Sequence, residues 1–412
     1  MEVIATLGDH ISTQKGYAFK SAWYTESGHP IVKVSDFTSD SVDPSNLVCV
    51  PNEIALKHGR YSLSTGDVVI QTVGSWPSNP ASVVGKTVRI PKKIDGALLN
   101  QNAVKVESDQ SLDKGFLFYL LRSDEFREYI VGTAQGAASQ ASITLDSIRA
   151  FKFTKPDLES QQKIANTLAA YDNLIENNNR RIAILEEMAQ SLYREWFVKF
   201  RFPGHRQAKF IDSPLGKIPE GWEIKKLKNI AAVNPESITK KNSPEVIQYI
   251  DIKSVSSGSI DEIKPMPFID APSRARRVVQ DGDIIWATVR PNRKQYSYIA
   301  KPEQNTIVST GFAVIRTLSV PSPFLLQALT TDDFVSYLVN HASGAAYPAV
   351  NASEFENADI LVPDEVTMKQ FNNLSELAIQ QCETLKKKNS NLAKQRDLLL
   401  PKLISGQINI EG

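Results

Sequence analysis

The stretch PDLESQQKIANTLAAYDNLIENNNRRIAILEEMAQSLYREWFVKF, residues 156–200, carries its apolar side chains on one narrow stripe. Ile164, Leu168, Tyr171, Ile175, Asn178, Ile182, Leu185, Ala189, Leu192 and Trp196 follow one another in alternating steps of four and three residues. Such steps keep one edge of an α-helix against a second helix, while the intervening pairs Glu176-Asn177 and Arg180-Arg181 suit solvent. Pro156 and Asp157 fit the helix start, where an acidic group meets the positive end of the backbone dipole. At about 1.5 Å per residue the stretch makes a rod of roughly 60 Å, more than one small domain needs. It reads as a spacer. Asn178 within the stripe costs stability but penalises slipped registers, unless it is simply a tolerated exposed residue.

The same unit recurs near the C-terminus. Pro363-Asp364 opens a run carrying Phe371, Ala378, Cys382, Leu385, Leu392 and Leu399, which Pro401 is expected to end. The segments ahead of the two helices also correspond. Thr65-Gly66-Asp67-Val68-Val69-Ile70 matches Gln280-Asp281-Gly282-Asp283-Ile284-Ile285, and Gly136-Ala137-Ala138 matches Gly344-Ala345-Ala346. A period this long excludes a solenoid and points to a duplicated domain, each copy followed by a helix. The second stripe departs from the first at Ser375, Asn389 and Arg396, which stand where the first has Leu168, Ile182 and Ala189.

Composition bounds the alternatives. A chain of 412 residues with 42% hydrophobic content suits two or three ordinary cores. The two cysteines, Cys49 and Cys382, lie far apart and make no ligand spacing, as expected of a reduced, cytoplasmic compartment. The opening MEVIATLGDH has neither a basic leader nor an apolar core, and no apolar run is long enough to span a membrane. With 47 Lys+Arg against 46 Asp+Glu the net charge is +1, so any nucleic-acid surface must come from local clustering.

Taken in order, residues 1–155 form a first domain with strands at Pro30–Val34, Gly66–Thr72 and Ala103–Val106 and a helix over Lys114–Tyr129. The loop from Gln71 to Lys86, with Trp76, Pro77, Ser78, Asn79 and Pro80, is long and polar enough for recognition, or is a surface loop with one anchoring tryptophan. After the spacer helix of residues 156–200, breakers crowd residues 201–220 and mark a linker. A second domain over 221–362 has strands at Ile247–Ile252, Asp283–Val289 and Gly311–Ile315 and a helix from Pro323 to Leu338; residues 363–412 hold the second helix and a tail. The fold class is therefore α+β, with two similar mixed domains separated by two long helices pairing as an antiparallel coiled coil. The second domain's basic residues are the more concentrated: Arg274, Arg276 and Arg277, then Arg290, Asn292, Arg293, Lys294 and Tyr296. The latter group sits where the first domain has Ser75 to Asn79, so equivalent positions differ in chemistry.

Enzymatic constellations fail in turn. Gly85-Lys86-Thr87 has Pro80 where a phosphate-binding loop needs its first glycine. Pro244-Glu245 with Glu262-Ile263-Lys264 only loosely fits a metal-dependent nuclease. The five histidines are scattered, and no His/Cys cluster suits zinc. No glycine-rich cofactor loop follows a strand, and no Asn-Pro-Pro-aromatic run of amino-methyltransferases is present.

Several segments carry a family resemblance: Asp212 to Trp222, Gln161-Gln162-Lys163-Ile164 in the first long helix, the terminal Leu399-Leu400-Pro401-Lys402-Leu403-Ile404-Ser405-Gly406, and Lys15-Gly16-Tyr17-Ala18-Phe19-Lys20-Ser21. Together with the duplicated order of domain then helix, the whole chain resembles the DNA-specificity subunit of type I restriction–modification systems. The resemblance implies two target-recognition domains, each reading half of a bipartite site in double-stranded DNA. It also implies helices that set the spacer and dock methyltransferase subunits, with restriction (translocase/endonuclease) subunits as further partners. Such a chain is non-catalytic and holds no cofactor; S-adenosylmethionine and ATP with Mg would serve the partner subunits.

Arginine suits guanine and Asn or Gln suits adenine through paired hydrogen bonds, so Arg290, Asn292, Arg293, Gln71 and Asn79 are the candidate base readers. Lys15, Lys20, Lys240, Lys241, Arg274 and Arg277 suit phosphates. Tyr17, Trp76, Ser78, Arg276, Lys294 and Tyr296 complete the candidate DNA surface. The competing expectation is a coiled-coil scaffold whose two domains bind proteins or ligands; a weaker one is a single-chain methyltransferase with an unrecognised cofactor site.

Overall fold

The computed structural model describes residues 3–77, 83–136, 140–214, 216–344 and 347–408. The chain divides into two compact units, residues 1–177 with 389–412, and residues 178–388. Each unit holds one α+β domain and part of both long helices.

In the first unit a four-stranded antiparallel sheet is ordered Ile11–Lys15, Ala103–Ser108, Val68–Gln71, Thr87–Arg89. In the second the order is Ala231–Val233, Phe312–Thr317, Ile284–Ala287, Tyr296–Tyr298. These are the same sheet twice. Each domain also closes its two ends with an antiparallel pair, Val3–Thr6 on Lys152–Lys155 and Glu223–Lys226 on Asp359–Val362. Each also has a parallel strand pairing, His29–Val32 with Leu98–Leu99 and Val246–Ile250 with Thr306–Ser309.

The repeated Gly-Asp turns have a physical cause. Gly66 and Gly282 both take a left-handed backbone (φ +82° and +87°), and the following aspartates are buried. Asp67 accepts from the Ser64 amide at 2.8 Å and from Lys114, while Asp283 accepts from the Gln280 amide at 2.7 Å and from both arms of Arg316. A carboxylate that would be costly to bury alone is thus satisfied in each copy by the turn and by a cation.

Each single helix expected ahead of the spacer is in fact two. Lys114–Leu120 and Asp124–Gly132 are separated at Ser123, whose hydroxyl caps the second by accepting from the Phe126 amide. Ser322–Ala328 and Asp332–His341 are separated at Thr331, which caps through the Phe334 amide. Apolar period alone runs through such a break; the hydroxyl marks it.

The first long helix spans Leu158–Tyr193 and continues as a π-type turn, Arg194–Val198, that buries Trp196 and Phe197. Asp157 caps it through the Ser160 amide, and Asp364 caps the second, Glu365–Ile404, through the Thr367 amide. Pro401 does not end the second helix, which runs on to Ile404. Proline removes one backbone donor, and here Leu400, Leu403 and Ile404 bury in the first unit's core and hold the last turn in place.

Within each unit the helices run antiparallel. In the second unit Ile182 meets Cys382 and Leu385, while Tyr193 and Trp196 meet Phe371. In the first, Ile164 and Leu168 cluster with Leu400 and Leu403, and Asp172 pairs with Arg396. Of the sequence-selected stripe, Ile164, Leu168, Asn178 and Ile182 are buried and Tyr171, Ile175, Leu185 and Leu192 are half-buried. On the second helix Leu385 is buried, and Leu392 and Leu399 are half-buried. No helix among the described residues is long and apolar enough to cross a membrane.

Candidate nucleic-acid interface

In the second unit the strand Ile284–Ala287 runs into a loop that brings together several of the selected residues. Arg290 and Lys294 both adopt left-handed backbone (φ 52° and 49°) on either side of the turn Pro291–Arg293, which leaves Asn292 and Arg293 exposed. Non-glycine residues hold that conformation only where surrounding structure enforces it. Here the Arg290 amide donates to the Pro348 carbonyl at 2.7 Å, and Lys294 pairs with Asp332 at 2.6 Å. The loop is therefore a fixed basic projection.

Other selected residues fall into different surroundings. Lys240 and Lys241 are exposed. Arg274 donates to Asp251 at 2.5 Å and to the Tyr249 hydroxyl. Burial pushes the Asp251 carboxyl up, but hydrogen bonds from Arg274 and the Lys253 amide outweigh it and hold the carboxyl below its ordinary value. Arg276 stacks over Phe268, 5.0 Å from the ring centroid. Arg277 is half-buried with one guanidinium nitrogen wholly enclosed, and burial lowers its pKa; it is a poor phosphate contact. Tyr296 stacks on buried Trp286 and belongs to the core edge instead of the basic loop.

In the first unit Lys15 and Lys20 are exposed, and Lys20 lies over Trp23. Tyr17 joins Phe19, His58 and Tyr61 in a small aromatic cluster. Gln71 is fully buried, its amide nitrogen donating to the Val73 carbonyl at 2.9 Å, so it cannot reach a base as it stands. It ends the strand Val68–Gln71, all four of whose side chains are buried; the apolar run Val68-Val69-Ile70 just ahead of it was the sequence sign against it. Trp76 packs on the first core as an anchor. Ser78 and Asn79 lie outside the described residues, as do Ala137, Ala138, Ala345 and Ala346.

Two features escaped the sequence. Gln161 is fully buried and ties the first helix start to the domain, accepting from the Asp113 amide and donating to the Pro156 and Ser111 carbonyls. Tyr347, 68% exposed, stands beneath the Arg290 guanidinium at 4.5 Å; only the loop pairing, which is not local in sequence, reveals it.

Residues 3–187 match the type I restriction modification DNA specificity domain. The chain is 25% identical over 308 residues to the type I restriction enzyme MjaIX specificity subunit of Methanocaldococcus jannaschii, covering 72% of this chain and 69% of that one. It is 23% identical over 431 residues to the HindI specificity subunit of Haemophilus influenzae, covering 88% and 90%. Its fold is similar to the crystal structure of a type I restriction–modification S subunit from M. genitalium, with a TM-score of 0.57 at 16% identity over 98% of this chain and 96% of that one. With the same α+β domain built twice and followed each time by a capped long helix, the chain is similar in sequence and fold to specificity subunits of type I restriction–modification systems.

Proposed function

We propose that this subunit reads a bipartite site in double-stranded DNA, one half per α+β domain, and that the paired helices set the spacing and dock methyltransferase subunits. The observation that carries this reading is the combination of one topology used twice with different chemistry at the equivalent loop. Trp76 anchors that loop in the first copy, whereas Arg290, Asn292, Arg293 and Lys294 form it in the second. Two like modules in one chain can read unlike half-sites, so the site need not be a palindrome. Arg290, Asn292 and Arg293 then take base edges, and Lys15, Lys20, Lys240 and Lys241 take phosphates.

Methyl transfer from S-adenosylmethionine, and ATP- and Mg-dependent translocation and cleavage by restriction subunits, would reside in the partners of this chain, in the cytoplasm. Methylome sequencing of cells with and without the gene tests the reading. A split methylated motif should vanish with the gene. Replacing residues 1–155 by the matching domain of a relative should then change one half of the motif only. If both halves change together, or no motif depends on the gene, the reading fails.

A further inference from the structure

Lys386, half-buried on the second long helix, reaches across to the second domain. Its ammonium donates to the Gly258 carbonyl at 3.0 Å and to Glu383 of its own helix at 3.1 Å, and lies 3.7 Å from Glu186 of the first helix. Burial would lower its pKa, but the charges of Glu383 and Glu186 more than offset this and raise it, so it stays a cation. Gly258, at φ +76°, is the tip of a hairpin in which Val255–Ser256 pairs with Ser259–Ile260. That hairpin lies against the strand Tyr296–Tyr298. The Gly258 amide donates to the Tyr296 carbonyl at 2.9 Å, and the Gln295 side chain donates to the Val255 carbonyl at 3.0 Å. Gln295 directly follows Lys294, which closes the basic loop, so one run of hydrogen bonds joins the second helix to that loop.

The same domain has another attachment to the helices. Tyr193 of the first helix and Phe197 of its π-type turn meet Phe324 of the domain, with ring centroids 5.7 Å and 5.2 Å apart, and Phe371 of the second helix closes the cluster. Between this aromatic anchor and Lys386 the interface is loosely filled. Ala189, Ala378 and Cys382 of the helices face Tyr298, Leu326 and Gln327 of the domain across a cavity of about 50 Å³. Glu186 precedes Tyr193 by seven residues, about 10 Å along the helix. Aromatic clusters are held by apolar contact without strong direction, so a domain attached there alone would rock over the cavity. Charge-assisted hydrogen bonds are directional, and those of Lys386 remove that freedom from the far side.

We propose that Lys386 is a positioning residue for the spacing of the bipartite site: it holds the second domain in one orientation on its helix pair, so that the basic loop meets its half-site at one distance from the other half-site. This rests on the DNA-reading function proposed above. Lys386 acts through the hairpin and touches no base itself. Its loss should therefore widen the range of spacers accepted while leaving the bases of both half-sites as they were.

The test is methylome sequencing of cells carrying the wild-type chain, Lys386→Met, Lys386→Gln or Lys386→Arg. Both neutral variants should raise modification of sites whose spacer is one base pair shorter or longer by about tenfold relative to cognate sites, the lower range for a lost hydrogen bond to a charged group. Lys386→Arg keeps a cation that donates to the Gly258 carbonyl and should hold the wild-type spacing. Modification at the cognate spacer reports that each variant folds and assembles. A wild-type chain on which no methylated motif depends would sink the underlying function. The role of Lys386 alone is overturned by a dependent motif whose spacer stays sharp in the neutral variants, or that fades evenly at every spacer. A change of bases in either half-site, or an Arg variant as permissive as the Met one, overturns it equally.

Discussion

The Tyr119 hydroxyl donates to the Asp172 carboxylate at 2.5 Å, joining the first domain to the first long helix inside one unit. Arg396 of the second helix donates to the other oxygen of Asp172 and lies 3.6 Å from Asp40. Burial would lower the Arg396 pKa, but its bonds to Asp172 and Asp397 more than offset this and raise it. Burial and the neighbouring Asp172 charge push the Tyr119 hydroxyl up, so it stays a donor. Counted from the matching caps, the residues in these places in the second unit are Gln327, Ile379 and Ala189. There the polar network is absent, and Gln327 keeps a buried amide oxygen with no hydrogen-bond partner beside a cavity of about 50 Å³.

Arg396→Ala should destabilise the first unit by about 2 kcal/mol, because it removes charged hydrogen bonds and leaves Asp172 partly buried without its cation. Asp172→Ala should cost a similar amount. The double variant should cost less than the sum, with a coupling of about 1–3 kcal/mol measured by urea unfolding. Strict additivity would show that the pair does not act as a unit.

Gln327→Met should leave the second unit unharmed or stabilise it by about 1 kcal/mol, since an unsatisfied buried acceptor is exchanged for an apolar group of similar shape. A loss of stability in thermal or urea unfolding would mean that the amide oxygen is satisfied in solution by water held in the cavity.

Asp364 links two parts of the second unit, accepting from the Thr367 amide and from the Trp222 indole at 3.1 Å. Burial pushes its carboxyl up, yet the hydrogen bonds from Thr367 and Trp222 prevail and hold its pKa below 3.8. A pKa depressed by folding means stability that is present above the unfolded value and lost as pH falls through the folded one. Asp364→Ala should therefore cost about 1 kcal/mol at neutral pH, the usual worth of a helix cap. The gap from wild type should close only below pH 3.8. A gap of constant size down to the acid limit would assign the loss to packing around Trp222.

Much of this architecture could be read from period and punctuation. The stripe through Leu168 and Ile182, the repeated Pro-Asp caps and the repeated Gly-Asp turns are local patterns, and each has a local physical cause. What escaped depends on partners far away in sequence. Arg396 looked like a defect in the second stripe until Asp172 and Asp40 supplied its counter-charges. Gln71 looked like a reader because its side-chain chemistry suits adenine, but its strand is buried on both faces. Arg274 and Arg277 look alike in sequence; only tertiary packing gives the first a carboxylate and encloses the second.

The proposed reading of DNA separates two kinds of contact in the second domain, one from the basic loop and one from Lys240. Arg293→Ala should relax specificity at one base pair by about 1–3 kcal/mol, whereas Lys240→Ala should weaken binding evenly across sequences and reduce its salt dependence. Competition binding of the assembled complex, with cognate and random duplexes at several salt concentrations, distinguishes them. Equal losses on both duplexes for both variants would make Arg293 a phosphate contact as well.

The helices themselves provide the last test of the proposed function, because helices that set the spacing between two readers would have to transmit their own length to the DNA. In the second unit Ile182 faces Cys382 and Leu385, so a heptad inserted between Asn178 and Ile182 has its counterpart between Lys387 and Asn389 on the opposing helix. Seven residues preserve the four-three stripe and lengthen both helices by about 10.5 Å, roughly three base pairs of rise. The unmodified spacer of the methylated motif should grow by about two to four pairs, allowing for rotation of the readers about the duplex and for DNA bending, while both half-sites stay the same. Lengthening one helix alone should break the seam, expose Leu185 and Leu192, and weaken assembly. A matched pair of insertions that folds, assembles and still selects the original spacing would remove the helices as the determinant of spacer length.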